Sequence, residues 1–205
     1  METHLGTSAD IADANRPPLQ RAALLLPDDL CLMQRDRDGY RLTAACVCSP
    51  SYWHLADKIG QPLAGIHAPV PTLNEKLGAT MAQFFERLPN ELVFERRNWL
   101  IHRDDEPFHQ TSEQWPAADA LVAATLYMRS ERQTLRRLDE TSIVFTIRVT
   151  CRRLSEITGY PQAMHDLLAT FDALDAEERR ASGFVHYGAA VTSYLRDALT
   201  VSHAS

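Results

Sequence analysis

Leu126-Tyr-Met-Arg-Ser-Glu-Arg-Gln-Thr-Leu-Arg-Arg-Leu-Asp-Glu-Thr-Ser-Ile-Val-Phe-Thr-Ile-Arg-Val-Thr-Cys151 is the stretch whose reading decides the fold. In its second half Ile143, Phe145, Ile147, Val149 and Cys151 alternate with Val144, Thr146, Arg148 and Thr150, the period of two that lays an apolar row along one face of a strand. The first half has the same length but carries Arg129, Glu131, Arg132, Gln133 and Arg136, and Asp139-Glu-Thr-Ser142 between the halves is turn chemistry. The stretch predicts a long antiparallel hairpin. Polar residues fall on both faces of its first strand: Tyr127, Arg129, Glu131 and Gln133 on one, Met128, Ser130, Arg132, Thr134 and Arg136 on the other. A charge taken out of water needs a partner or a ligand. Two readings stand at this point: an edge or solvated strand laced with cross-strand ion pairs, or a sheet surface lining an anionic ligand.

Upstream, Leu30 to Gln34 and Tyr40 to Cys48 flank the turn Asp36-Arg-Asp-Gly39 and make a first hairpin. Cys46 and Cys48 share one face of that strand, and we expect them to pack in the core rather than bind metal. After Ser49-Pro-Ser51, the residues Tyr52, Trp53, Leu55, Ala56 and Ile59 predict a short helix stopped by Gly60. Gln61 to Pro71 is an irregular segment stiffened by three prolines, with His67 in apolar company. Thr72 caps a second helix, whose Leu73, Leu77, Met81, Phe84 or Phe85 and Leu88 recur at helical spacing. Leu92 to Ile101 reads as a third strand, and the charged, proline-bearing stretch from His102 to Ala118 reads as a long loop. Beyond the central hairpin, Pro161 to Leu174 and Phe184 to Leu199 are amphipathic and predict two closing helices.

Two strands, a helical middle, three strands and terminal helices predict an α+β fold, an antiparallel five-stranded sheet with helices gathered on it. The PAS fold has this order of elements. We expect a mobile arm over residues 1–22 and a single PAS-like domain over residues 23–200.

Composition narrows the function. The formal net charge is -6 and the sequence pI about 5.7, which leaves no broad basic surface for nucleic acid. There is no secretory signal pattern and no apolar run long enough to span a bilayer, so the expected location is the cytoplasm, with the four cysteines reduced. A GxGxxG turn, a P-loop, HExxH and GxSxG are all absent, and the cysteine spacing matches no iron-sulfur pattern. Electrons for any redox chemistry would come from outside the chain.

Some of the remaining residues have chemistry that a haem would use, without a spacing diagnostic of one. A neutral imidazole on a stiff apolar loop suits an iron ligand, which singles out His67; a hydrogen-bonded core histidine is the alternative. His102 is the second candidate, while His54, His109, His165, His186 and His203 fall in helices or polar segments and are expected to face solvent. Arg129, Arg132, Arg136 and Arg148 have the planar donors that clamp carboxylates such as haem propionates. Glu131 is either their ion-pair partner or the group that holds a cationic amine and takes its proton, with Tyr127 assisting.

Several separated motifs then occur in one order: Tyr40-Arg-Leu with Cys46-Val-Cys-Ser-Pro-Ser51 and Trp53, Pro62-Leu-Ala-Gly-Ile-His-Ala-Pro-Val-Pro71, Arg97-Asn-Trp99, and Arg129 to Leu138 followed by Ile143 to Arg148. From about residue 30 to 200 the chain resembles the haem-dependent oxidative N-demethylase alpha-subunit-like family. The resemblance implies a PAS-like haem-binding fold and O₂-dependent oxidative removal of a methyl group from a small amine, with electrons from a separate flavin and ferredoxin partner. It implies His67 as the axial ligand and metal-binding residue, places Trp99 and the four arginines in the cofactor set, and leaves Glu131 and Tyr127 for the amine. A haem, gas or small-ligand sensor of PAS type is the competing expectation. Thr72 and Asp139 stand where the family has glycine and proline, and the segment before Tyr40 is shorter. These departures bear on the substrate more than on the haem, and leave room for a larger amine.

Overall fold

The structure is a computed structural model and describes residues 12–66, 80–117 and 121–202. Five strands, β1 (Asp29–Asp36), β2 (Gly39–Cys46), β3 (Val93–His102), β4 (Tyr127–Arg137) and β5 (Ser142–Arg153), form one antiparallel sheet in the order β2-β1-β5-β4-β3. The helices are α1 (Pro18–Ala23), α2 (Leu63–Ile66), α3 (80–87 within the described residues), α4 (Pro161–Ala173), α5 (Ala176–Ala181) and α6 (Phe184–Ser202). The architecture is α+β, as the order of elements predicts. Helical structure starts at Pro18, within the expected arm, where a proline can open a helix because its missing N–H is one the first turn leaves unpaired.

Turn chemistry sets both hairpins. At the first, the Asp36 carboxylate accepts from the Asp38 amide at 2.8 Å and Gly39 takes a φ of 112°, a conformation that a side chain resists. This fixes the register of β1 on β2, from Leu30 opposite Cys46 to Asp36 opposite Gly39, with one irregularity between Leu32 and Met33. At the second, Asp139 accepts from the amides of Thr141 and Ser142, each at 2.8 Å, and those bonds hold its carboxyl below the usual range. Asp139 is thus the residue that builds the turn. On its other side β5 pairs with β1, from Asp29 opposite Ile147 to Gln34 opposite Ser142.

The chain divides into two compact units. One comprises residues 1–98, 107–111 and 131–149, the other 99–106, 112–130 and 150–205, so β3, β4 and β5 each contribute to both. The first unit has a core of Cys31, Met33, Tyr40, Leu42, Leu135 and Ile143, closed by Phe85 and Leu88. The second is built on α4 and α6, where Met164, Leu167 and Phe171 meet Tyr187, Val191 and Leu195 at the spacing of amphipathic helices.

Several expectations need correction. Tyr52 to Ile59 is not a helix: Tyr52 has a φ of 64°, which no right-handed helix admits, and only a 3-10 turn at Leu55–Asp57 forms before Gly60, at φ 81°, ends it. Cys46 and Cys48 do not enter the core. The irregularity leaves Thr43 unopposed between Leu42, opposite Met33, and Ala44, opposite Leu32, so the inward row passes from Tyr40 and Leu42 to Ala45 and Val47, while Cys46 is half-buried and Cys48 exposed. α5 was not foreseen, although Asp175 and Glu178 form the reciprocal capping box that starts it. His67, Thr72, Leu73, Leu77 and His203 lie outside the described residues.

Candidate functional site

The inward face of β4 carries half of the buried polar residues among those described. Along the strand Arg129, Glu131, Gln133, Leu135 and Arg137 are buried, while Ser130, Arg132, Thr134 and Arg136 alternate with them at more exposed positions. The parity read from the sequence holds, and the inward row is the one that contains Glu131. Strands normally bury apolar residues on such a row; here four of five are polar or charged, so each must be satisfied inside the protein.

In the first unit Glu131, 8 % exposed, accepts from Gln133 Nε2 at 2.8 Å, and Gln133 Oε1 accepts in turn from Arg96 Nε at 2.5 Å. Arginine only donates, so it fixes the amide with its oxygen toward Arg96 and its NH₂ toward the carboxylate. The result is a nearly dry carboxylate held in one orientation. Water no longer screens it, so its attraction for a cation is stronger than at the surface. Two positions further on, the Arg137 guanidinium bonds to the Tyr40 hydroxyl (2.7 Å) and to the carbonyls of Leu88 (2.7 Å), Phe85 (2.5 Å) and Glu86 (3.3 Å). These carbonyls end α3, and a cation there satisfies acceptors the helix cannot.

The second unit holds a buried imidazole. His102, at the end of β3, is fully enclosed, and its Nδ1 lies 2.9 Å from the Glu113 carboxylate, which is itself 6 % exposed at the side chain. Glu113 is anchored by the Arg103 amide, at 3.3 and 3.2 Å from its two oxygens. A nitrogen facing a carboxylate is the N–H of the ring, so in the neutral imidazole the lone pair resides on Nε2. A carboxylate behind one ring nitrogen is also how proteins orient metal-binding histidines. In the same unit Arg129 is 1 % exposed, Arg153 lies over the Tyr127 ring at 5.3 Å, and Trp115 stacks on His186 with centroids 6.1 Å apart.

The residues singled out from sequence therefore separate into groups. Glu131 and Arg129 are buried and held; Tyr127 is half-buried against Arg153. Trp99 packs edge-on against Phe171 at 5.8 Å, a core contact. Arg132 is ion-paired with Glu95 at 2.6 Å, which holds that carboxyl low, and Arg148 with Asp28 at 2.8 Å. Arg136 is exposed, and His67 lies outside the described residues.

Three residues were missed or misplaced. Glu113 was not read, since nothing in a charged loop marks one carboxylate as the partner of a distant histidine. Lys58, only 9 % exposed, donates from Nζ to the carbonyl of Ile66 at 2.8 Å and fixes the chain just before His67. His109 was expected in solvent but is half-buried: its amide bonds to the Pro50 carbonyl at 2.9 Å, its carbonyl accepts from Tyr52 N at 2.7 Å, and its ring lies 5.9 Å from that of Tyr52.

A haem requires an oriented imidazole and cations for its propionates. Among the described residues, the His102–Glu113 pair offers an oriented imidazole and Arg129 a buried guanidinium, while Arg132 and Arg148 are ion-paired with Glu95 and Asp28. No helix among the described residues is long and apolar enough to cross a membrane. A model of the protein family described as haem-dependent oxidative N-demethylase, alpha subunit-like, matches residues 2–192. No curated protein matches the chain.

Proposed function

The chain belongs to the haem-dependent oxidative N-demethylase alpha subunit-like family, and from that premise we propose that it is a haem-dependent enzyme that oxidatively removes an N-methyl group from an amine. The observation that carries the amine half of this reading is Glu131, a carboxylate nearly out of water and oriented through Gln133 by Arg96. A protonated amine is the partner such a group attracts. Haem, when bound, supplies the binding and activation of O₂.

The chain's own residues bind, orient and move protons. His67, next after Ile66 in the family motif, would hold the haem iron; the Lys58 bond to the Ile66 carbonyl holds the chain leading up to it. His102, backed by Glu113, is the second choice, favoured by its tautomer-fixing hydrogen bond. Arg129, on the inward face of β4, is the arginine we assign to a propionate; Arg136 lies on the opposite, exposed face of the strand, and Arg132 and Arg148 are ion-paired with Glu95 and Asp28. Glu131 holds the substrate ammonium and accepts its proton. The electrons come from a separate reductase or ferredoxin chain.

The test is turnover. Haem-loaded protein, reduced chemically and supplied with O₂ and a panel of methylated amines, should release formaldehyde in step with amine consumed. Glu131→Gln, which keeps the hydrogen-bonding shape and removes the charge, should lower kcat/KM by about a hundredfold or more. Haem-loaded protein that releases no formaldehyde and no other oxidised amine would contradict the reading.

A further inference from the structure

Cys46 and Cys48 stand apart from everything above. β2 ends at Cys46, the chain bends at Cys48, and the two thiols are near enough for Cys48 to influence the ionisation of Cys46. Cys48 is exposed and Cys46 half-buried, so Cys48 is the more accessible of the two. The backbone between them and Ser49 is not loose. The Asp29 carboxylate, 3 % exposed, accepts from the Cys48 amide at 2.7 Å and from the Ser49 amide at 3.2 and 3.3 Å. Two residues along a strand span about 6.6 Å, near the upper end of the Cα separations a disulfide bridges, so closing the bond draws the two residues together.

We propose that Cys46 and Cys48 form a reversible dithiol–disulfide couple, oxidised by hydrogen peroxide, with Cys48 as the sulfur attacked first and Cys46 as the one that closes the bond. The Cys48 thiolate attacks one peroxide oxygen; the O–O bond breaks, hydroxide leaves and is protonated to water, and Cys48 becomes a sulfenic acid. The Cys46 thiolate then attacks the Cys48 sulfur; the S–O bond breaks, a second hydroxide leaves and is protonated, and the S–S bond forms. Two electrons pass from the two sulfurs to one peroxide, which becomes two waters. Burial, followed by the neighbouring Cys48, raises the thiol of Cys46 above its ordinary value of 9.0, which suits a resolving sulfur more than an attacking one. Closure across a single intervening residue strains the ring, and strained, exposed disulfides are the easily reduced ones. Cys31, buried in the first unit's core with its thiol pushed up to about 12, is shielded from this chemistry.

The test treats the full chain, reduced and then freed of reductant, with limiting peroxide, followed by alkylation, trypsin and mass measurement. Cleavage after Arg41 and Lys58 puts Cys46 and Cys48 on one peptide, while Cys31 and Cys151 fall on two others. The expected result is that peptide 42–58 becomes lighter by two hydrogens and resists alkylation, with full reversal by dithiothreitol. Cys46→Ser should instead leave a Cys48 sulfenic acid that a dimedone-type probe traps, and Cys48→Ser should slow the peptide's reaction at least tenfold. Stepwise oxygen addition to peptide 42–58 without loss of two hydrogens, or oxidation of Cys151 ahead of it, would overturn the proposal. The outcome is independent of whether haem is bound.

Discussion

At the scale of single residues, the contrast between Arg137 and Arg132 shows how position on a strand decides what a cation does. Both are on β4, but Arg137 faces inward and closes the end of α3, whereas Arg132 faces outward and meets Glu95 at the surface. Arg137→Met removes the donors of several buried carbonyls and of the Tyr40 hydroxyl, and should cost about 3 kcal/mol in urea unfolding. Arg132→Met should stay within about 0.5 kcal/mol, as exposed ion pairs do. The two candidate iron ligands separate in the same manner. His67→Ala should lose bound haem or shift its spectrum. His102→Ala should retain haem but lose about 2–3 kcal/mol of stability, because Glu113 is left buried without its imidazole. Folded His102→Ala that no longer binds hemin, with His67→Ala unaffected, would transfer the ligand role to His102.

At the scale of elements, the C-terminal helices carry their own tests. Asp175 caps α5 by accepting from the amides of Glu177 (2.9 Å) and Glu178 (2.8 Å), so Asp175→Ala should lower stability by about 1 kcal/mol. Within α6, a methyl group at Gly188 would be driven into the ring of Phe184, which is held in place by Phe171 and Tyr187 and capped by Arg179. Gly188→Ala should therefore destabilise the protein by about 1–3 kcal/mol despite the helix propensity it gains; a stabilised variant in thermal unfolding would refute that packing. Elements with strong periodicity were legible from sequence: the central hairpin, the first hairpin and α4 and α6 follow directly from periods of two and 3.6. The 52–59 helix was misread because its apolar spacing was right, while a single backbone angle at Tyr52, set by bonds to His109, was not visible in the residues themselves. The inward polar row of β4 was legible by parity alone. What satisfies it was not, since Arg96, Tyr40 and Leu88 come from distant segments.

At the scale of the whole molecule, each unit's core contains one group that resists ionisation. Burial pushes the Cys31 thiol of the first core up to about 12 from 9.0, and the Tyr187 hydroxyl of the second up to about 12 from 10.0. Both are acids whose folded value lies above the unfolded one, so their contribution is complete below the unfolded value and is lost as pH rises toward the folded one. Stability should therefore fall between about pH 9 and 12. Tyr187→Phe should remove on the order of 2 kcal/mol of that dependence, confined to the part above pH 10. A variant whose stability falls with pH as steeply as the parent's would show that Tyr187 is not enclosed as described.

The central claim, that this sheet and its buried polar row serve a haem, is tested most directly by absorption spectroscopy of the purified chain titrated with hemin, then reduced with dithionite and exposed to carbon monoxide. The account predicts a Soret band that saturates at one hemin per chain, shifts on reduction and shifts again with carbon monoxide. No band at stoichiometric hemin would contradict it.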